Sequence, residues 1–336
     1  MFLHHKHDTA PSAGRRRGMT LIELMVVIAV VVIALGMMAT MMRPMMEETK
    51  IREASRLVNV FIGGAQARAV QLNRPVGVLL ERLVKPPDPR TNACVQLYIA
   101  ETPPVYGGDT LLADARGVTA TQAGLYGSDL AAKLVEPGDL IKFDFKGDKY
   151  RIHAVSPGAA GSPTTVQFSR LRGDESVSTD LKPAPQATEE SYTDATTGSS
   201  TIAGVPYQIF RRPRRSSADP LQLPATTVLD LTHSGVGDSG VFTSTGSVII
   251  SFAADGSVEH VYEEVSDDYK PMRPGATIHL LIGRFSQLGA ANLADQRGRW
   301  VSVAPQSGVV TTVENLGGTL AAARALAIQR QQTASQ

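Results

Sequence analysis

The chain has 336 residues, a formal net charge of +1 and one cysteine. That length holds one large or two small domains besides an anchor, and so small a charge creates no global field to draw in nucleic acid or acidic partners. A lone thiol excludes an intrachain disulfide and a four-cysteine zinc site, no Cys/His cluster has metal-ligand spacing, and nothing asks for a cofactor. Cys94 reads as a small buried hydrophobe.

In chain order, residues 1–18 are a basic leader with Lys6, Arg15, Arg16 and Arg17, ending at Gly18. Next come residues 19–42, and Glu23 is the only charged side chain among these 24 residues. As a helix they would extend about 36 Å, more than the roughly 30 Å hydrocarbon core of a bilayer. The positive-inside rule keeps the arginines cytoplasmic and exports the remainder of the chain. An ordinary secretory signal has a shorter apolar core and a small-residue cleavage site after it. Here the small residue, Gly18, precedes the core, so a cut there removes the leader and leaves the helix on the mature chain. His4, His5 and His7 would leave with the leader, which argues against a metal role for them. Glu23 is the informative oddity, because a carboxylate in an apolar span is costly unless paired. Cleavage after Gly18 exposes an α-amino group at Met19, one helical turn away. The amine of one subunit could neutralise Glu23 of its neighbour and set the axial register between otherwise featureless helices.

The run Arg15-Arg16-Arg17-Gly18-Met19-Thr20-Leu21-Ile22-Glu23-Leu24-Met25-Val26-Val27-Ile28 resembles the class III signal of type IV prepilins, with Met19 in place of the usual Phe. The resemblance implies cleavage after Gly18 by a prepilin peptidase, N-methylation of Met19 by the same enzyme, and an assembly role for Glu23. It also implies other pilin or pseudopilin subunits, an inner-membrane assembly platform and the lipid bilayer as partners.

Residues 43–75 read as an amphipathic continuation of the helix. Ile51, Ala54, Val58, Phe61, Ile62, Ala65, Ala69 and Leu72 recur at spacings of three and four, one face of a helix. Arg52, Glu53, Arg56, Asn59, Gln66 and Gln71 take the other face. Pro44 marks a kink point, Gly63-Gly64 is expected to let the helix approach a sheet closely, and Asn73-Arg74-Pro75 ends it. The stretch from Ala54 to Arg56 through Asn73-Arg74-Pro75-Val76 is similar to the H-type minor pseudopilins of type II secretion, where such a helix leads into the first strand of the head.

Residues 76–316 are expected to form a β-rich exported head. Short apolar runs predict strands at 76–83, 94–100, 207–210, 227–231 and 278–282. Hairpins are predicted at 140–155, at 247–262 around Asp255-Gly256, and at 300–313. Residues 156–202, rich in Ser, Thr, Pro, Gly and acids, read as a long surface insertion, and residues 317–336 as a tail with a short exposed helix. The whole predicts an α+β fold, an antiparallel sheet packed on the end of a long N-terminal transmembrane helix.

No nucleophile–base–acid set stands out. Asp230, His233 and Ser234 are close in sequence, but a triad needs convergence in space, and His233-Ser234-Gly235 looks like a turn. His153, His260 and His279 sit singly on strands. The cluster Arg211, Arg212, Arg214 and Arg215 reads first as a solvated loop at a strand edge. The sharper reading is a phosphate-contacting patch on a DNA-binding tip subunit. The function these features predict is structural rather than enzymatic.

Overall fold

The computed structural model describes residues 19–84, 87–110, 113–119, 121–127, 130–145, 147–158, 162–170, 190–193, 200–265 and 268–334. A helix runs from Leu21 to Leu72, uninterrupted at Pro44. The chain divides into two compact units at Glu48/Thr49.

In the first unit the helix is apolar on every side. Leu21, Ile22, Met25, Val30, Val32 and Leu35 are all more than half exposed. Among the described residues no helix is long and apolar enough to cross a membrane. The side chains described in this unit's apolar run end at Gly36, about 24 Å of helix from Leu21.

In the second unit the same helix buries one stripe. Ile51, Ala54, Val58, Ile62, Ala65 and Ala69 are at most 1% exposed and join a core with two antiparallel sheets. One sheet has the strand order Arg214–Arg215, Gln96–Glu101, Val76–Glu81, Val248–Phe252, Val258–Val265, Asp268–Met272, with Leu221–Gln222 also on Gln96–Glu101. The other has the order Ala93–Cys94, Thr227–Val236, Ile278–Arg284, Arg299–Val303, Val310–Glu314. Val78, Leu80 and Ile250 of the first sheet and Leu229, Leu280 and Val301 of the second meet the helix stripe. The small alanines let the helix lie close. Gly63 and Gly64 do not: a Cβ added to either would meet nothing within 4 Å, which corrects the expectation of close approach there. The glycine that close packing does require is Gly77, where an added Cβ would lie 2.4 Å from the Ile250 carbonyl oxygen across the strand pair.

The polar face of this helix segment is also partly used. Gln66 donates to the carbonyls of Gly256 (3.1 Å) and Gly308 (2.6 Å), tying two hairpin turns to the helix, and Asn59 donates to the Thr312 hydroxyl. Amphipathic spacing places both residues on the solvent side; long-range turns reach them instead.

A second lobe is inserted between Gln96–Glu101 and Arg214–Arg215. Its six-stranded antiparallel sheet runs Tyr207–Phe210, Leu140–Phe143, Tyr150–Ser156, Thr164–Arg170, Gln122–Tyr126, Asp114–Arg116. It has its own core, in which the rings of Phe143, Tyr150 and Phe168 stand 5.2–6.0 Å apart. The loop reading of 156–202 fails for Thr164–Arg170, where Val166 and Phe168 alternate into the core of a paired strand. Glu190–Thr193 and Ser200–Ala203 pair with each other. Residues 171–189 and 194–199 lie outside the described residues.

The predicted hairpins form: Ile141 faces Tyr150, Ile250 faces Val261 and Val301 faces Thr312. The C-terminal helix, Leu320–Ala334, is packed rather than exposed. Ala323 and Ala327 are fully buried against Leu281, Trp300 and Val313. Arg324, also fully buried, stacks on the Trp300 ring at 5.2 Å and caps the carbonyls of His233, Gly237 and Gly240. An arginine in an Ala/Gln-rich segment looks like a surface residue until its distant carbonyl partners are known.

Candidate functional site

Three residues of the N-terminal signal stand at the helix start. Met19 is 59% exposed and precedes the helix. The hydroxyl of Thr20 accepts a hydrogen bond from the Glu23 backbone N–H at 3.3 Å, and its carbonyl accepts one from Leu24 N–H at 3.1 Å. Thr20-Leu21-Ile22-Glu23 thus has the Thr-x-x-Glu spacing of a capping box, with the Thr-to-backbone half formed. The sequence carried that signal, and the reading of Glu23 as an assembly residue passed over it. Glu23 also places a negative charge in the first turn, where the helix dipole favours it. Around it the surface is apolar, with Ile22 71%, Leu24 51% and Met25 69% exposed. Gly18 lies outside the described residues.

Residues 14–39 match the model of the prokaryotic N-terminal methylation motif. By this motif the chain is type IV prepilin-like. No curated protein and no solved structure matches it. The long N-terminal helix and the antiparallel sheets of the head fit a pilin-like layout. The motif speaks for a structural subunit of the pilin or pseudopilin kind, processed by prepilin peptidase, anchored in a membrane and assembled with other subunits.

In the head of this prepilin-like chain the four arginines do not form a free patch. Arg211 donates to the Pro104 carbonyl at 3.0 and 3.2 Å. Arg212 pairs with Glu136 at 2.5 Å and lies 3.9 Å over the Tyr269 ring. Arg214 donates to the Leu134 carbonyl at 2.7 Å and lies near Glu136 and Asp139. Arg215 rests 3.6 Å over the Tyr98 ring, with Glu81 at 3.8 Å. Arg212 and Arg214 bind the inserted lobe to the chain returning to the first sheet. Three of the four guanidinium groups are thus engaged by carboxylates and rings, while the Arg215 side chain stays 53% exposed at the strand edge. Asp139, fully buried beneath them, accepts from the N–H groups of Glu136 and Arg212 at 2.9 Å. Burial nevertheless pushes its carboxyl up to about 6, against the pull of those bonds and of Arg214.

Asp230, His233 and Ser234 do not converge. The Asp230 carboxylate accepts from Gly289 N–H (2.7 Å) and the Asn292 amide (3.0 Å), holding the loop before the short helix Ala290–Ala294. The Ser234 hydroxyl donates to the Asp230 backbone carbonyl and accepts from Leu281 N–H. Among the described residues no hydrogen bond joins the His233 ring to either. His279 is fully buried, with its Nδ1 2.8 Å from the Ser302 hydroxyl and its ring edge-on to Trp300. Burial, then Arg324, hold its pKa down to about 3. Cys94 is fully buried, and burial pushes its thiol up to about 12, which suits an inert packing residue. Among the described residues no group of three His, Cys, Asp or Glu could hold a metal ion.

Proposed function

We propose that this chain is a structural minor pseudopilin or minor pilin. In this reading prepilin peptidase cuts after Gly18 and methylates Met19. Residues 19–42 hold the subunit in the inner membrane as a single pass, with the N-terminus cytoplasmic and the head on the far side. On assembly the helix passes from lipid into the core of a filament, delivered by an inner-membrane platform. The similarity to H-type subunits favours the type II secretion pseudopilus over a type IV pilus.

The observation that carries the reading is the methylation motif lying on a helix whose apolar side chains are exposed all round. A helix that is hydrophobic on every side is stable only when surrounded, by lipid or by other helices. Glu23 is then the single charged side chain of residues 19–42, and the Met19 amine of a neighbouring copy is the group that would neutralise it. The experiment is mass spectrometry of the mature protein from cells that contain prepilin peptidase. A first residue of Met19, one methyl group heavier, is expected. A chain still beginning with its arginine leader would refute the processing.

A further inference from the structure

The seam between the two β lobes holds a cavity of about 310 Å³, within the size range of small-ligand sites, which favour such junctions. One wall comes from the first lobe, through Pro75, residues 102–105 and Tyr262. The other comes from the inserted lobe and its return, through Leu140, Lys149 and Phe210–Arg212. The interior is mainly apolar, with cationic groups at its edge.

The charges around it do not balance. Arg74, Lys149, Arg211 and Arg212 line the cavity, and Glu259 is its only acidic residue. Arg74 shares Glu101, outside the cavity, with Arg68, each at 2.7 Å, and Arg212 shares Glu136 with Arg214, at 2.5 and 3.5 Å. Glu259 is held first by the neighbouring His260, with Lys149 a weaker influence, and the Lys149 ammonium sits 4.2 Å over the Phe210 ring. Arg211 is left over. Among the described residues its guanidinium donates only to the neutral Pro104 carbonyl; burial and nearby Arg214 disfavour its charge, against a weaker pull from Asp139 and Tyr106.

We infer that this inter-lobe cavity binds a monoanionic carboxylate carried on a compact apolar or aromatic body. The carboxylate would complete Arg211, with Lys149 in support, through charge-assisted hydrogen bonds in a partly desolvated site. The body would lie between the proline wall and Phe210. A planar guanidinium held only by a neutral carbonyl beside an apolar wall suits a carboxylate on an apolar body. The inference rests on the head alone and is independent of the N-terminal processing.

The test is titration calorimetry on the full chain in a non-ionic detergent, with phenylacetate as probe. Phenylacetamide supplies the same body without the charge, and acetate the charge without the body. One saturable phenylacetate site per chain is expected, with both controls weaker by at least about tenfold: the amide for want of a charge-assisted hydrogen bond, acetate for want of the buried apolar body. Arg211→Gln and Lys149→Gln should each weaken phenylacetate by a similar factor, and Val105→Trp, placed at a position 48% exposed, should fill the mouth and abolish binding. Lys149 is exposed, so its variant reports on the site even if Arg211→Gln disturbs the fold. Absence of saturable phenylacetate binding, equal binding of the amide, or full binding by Val105→Trp would each overturn the inference.

Discussion

The two parts of the long helix meet opposite fates. From Leu21 to Gly36 its side chains are exposed on every side; after the division at Glu48/Thr49, six positions are at most 1% exposed while Arg52, Glu53 and Arg56 face solvent. Composition explains the contrast. Val, Ile, Leu and Met on all sides leave no face that prefers water, so the partner of that segment must come from outside the chain. Alanines and β-branched residues at spacings of three and four define one face, and the chain's own sheets cover it. A helix segment thus states in its sequence whether its partner is internal or external.

The comparison breaks first at the processing site. Gly18→Leu should abolish cleavage altogether, leaving only full-length chain on immunoblots, because the peptidase signal depends on the small residue before the apolar run. If the variant is cut normally, the external-partner reading loses its entry step. Glu23→Ala should leave cleavage intact but reduce recovery in sheared filament fractions by about tenfold or more, since a buried amine without its counter-charge costs several kcal/mol. Normal assembly of that variant would show that Glu23 serves only to cap and charge the first helical turn.

A paired substitution sharpens the other side. Ile62, 1% exposed, and Val60, 65% exposed, lie two residues apart on the same helix. Ile62→Ala should destabilise the head by about 2–5 kcal/mol in urea unfolding of the full chain in detergent. Val60→Ala should stay within about 0.5 kcal/mol. Equal effects would mean that the helix does not present one face to the sheets.

Much of this organisation was legible in the sequence. The Gly-Met-Thr-Leu-Ile-Glu run, the apolar stripe from Ile51 to Ala69 and the hairpin at Asp255-Gly256 are local signals, written within a few turns or one strand pair. What escaped was long-range. Arg212 reaches Glu136 across 76 residues and Arg324 reaches His233 across 91, so side chains that look like surface charge are spent on distant carbonyls and carboxylates. The strand Thr164–Arg170 was hidden by a Ser/Thr-rich composition. Its alternation of Val166 and Phe168 gains meaning only beside Ile152 and Val155 of the neighbouring strand. The inserted lobe could not be told from a loop-rich extension of one head, because a sheet closes its core only once its strand order is known.

The smallest effects separate the two lobes of the head by the sign of their response to pH. His279 has an ordinary value of 6.5 and is held near 3 in the folded first lobe, so between those values the unfolded chain binds the extra proton. Stability from this site is present above about pH 6.5 and drains away as pH falls toward 3, by a few kcal/mol at about 1.4 per pH unit. Asp139 runs the other way. Its ordinary value of 3.8 is raised to about 6, so the folded chain holds the proton longer, and stability is lost as pH rises from about 4 through 6. Hydrogen exchange of the full chain can track each lobe separately. Between pH 4 and 6 the first-lobe strand Ile278–Arg284 should gain protection once the intrinsic exchange rate is corrected, and Leu140–Phe143 should lose it, each by about 2 kcal/mol. Asp139→Asn should remove the loss in the second lobe and leave the first unchanged. If both lobes respond with one sign, they unfold as a single cooperative unit, and the seam between them is as firm as either core.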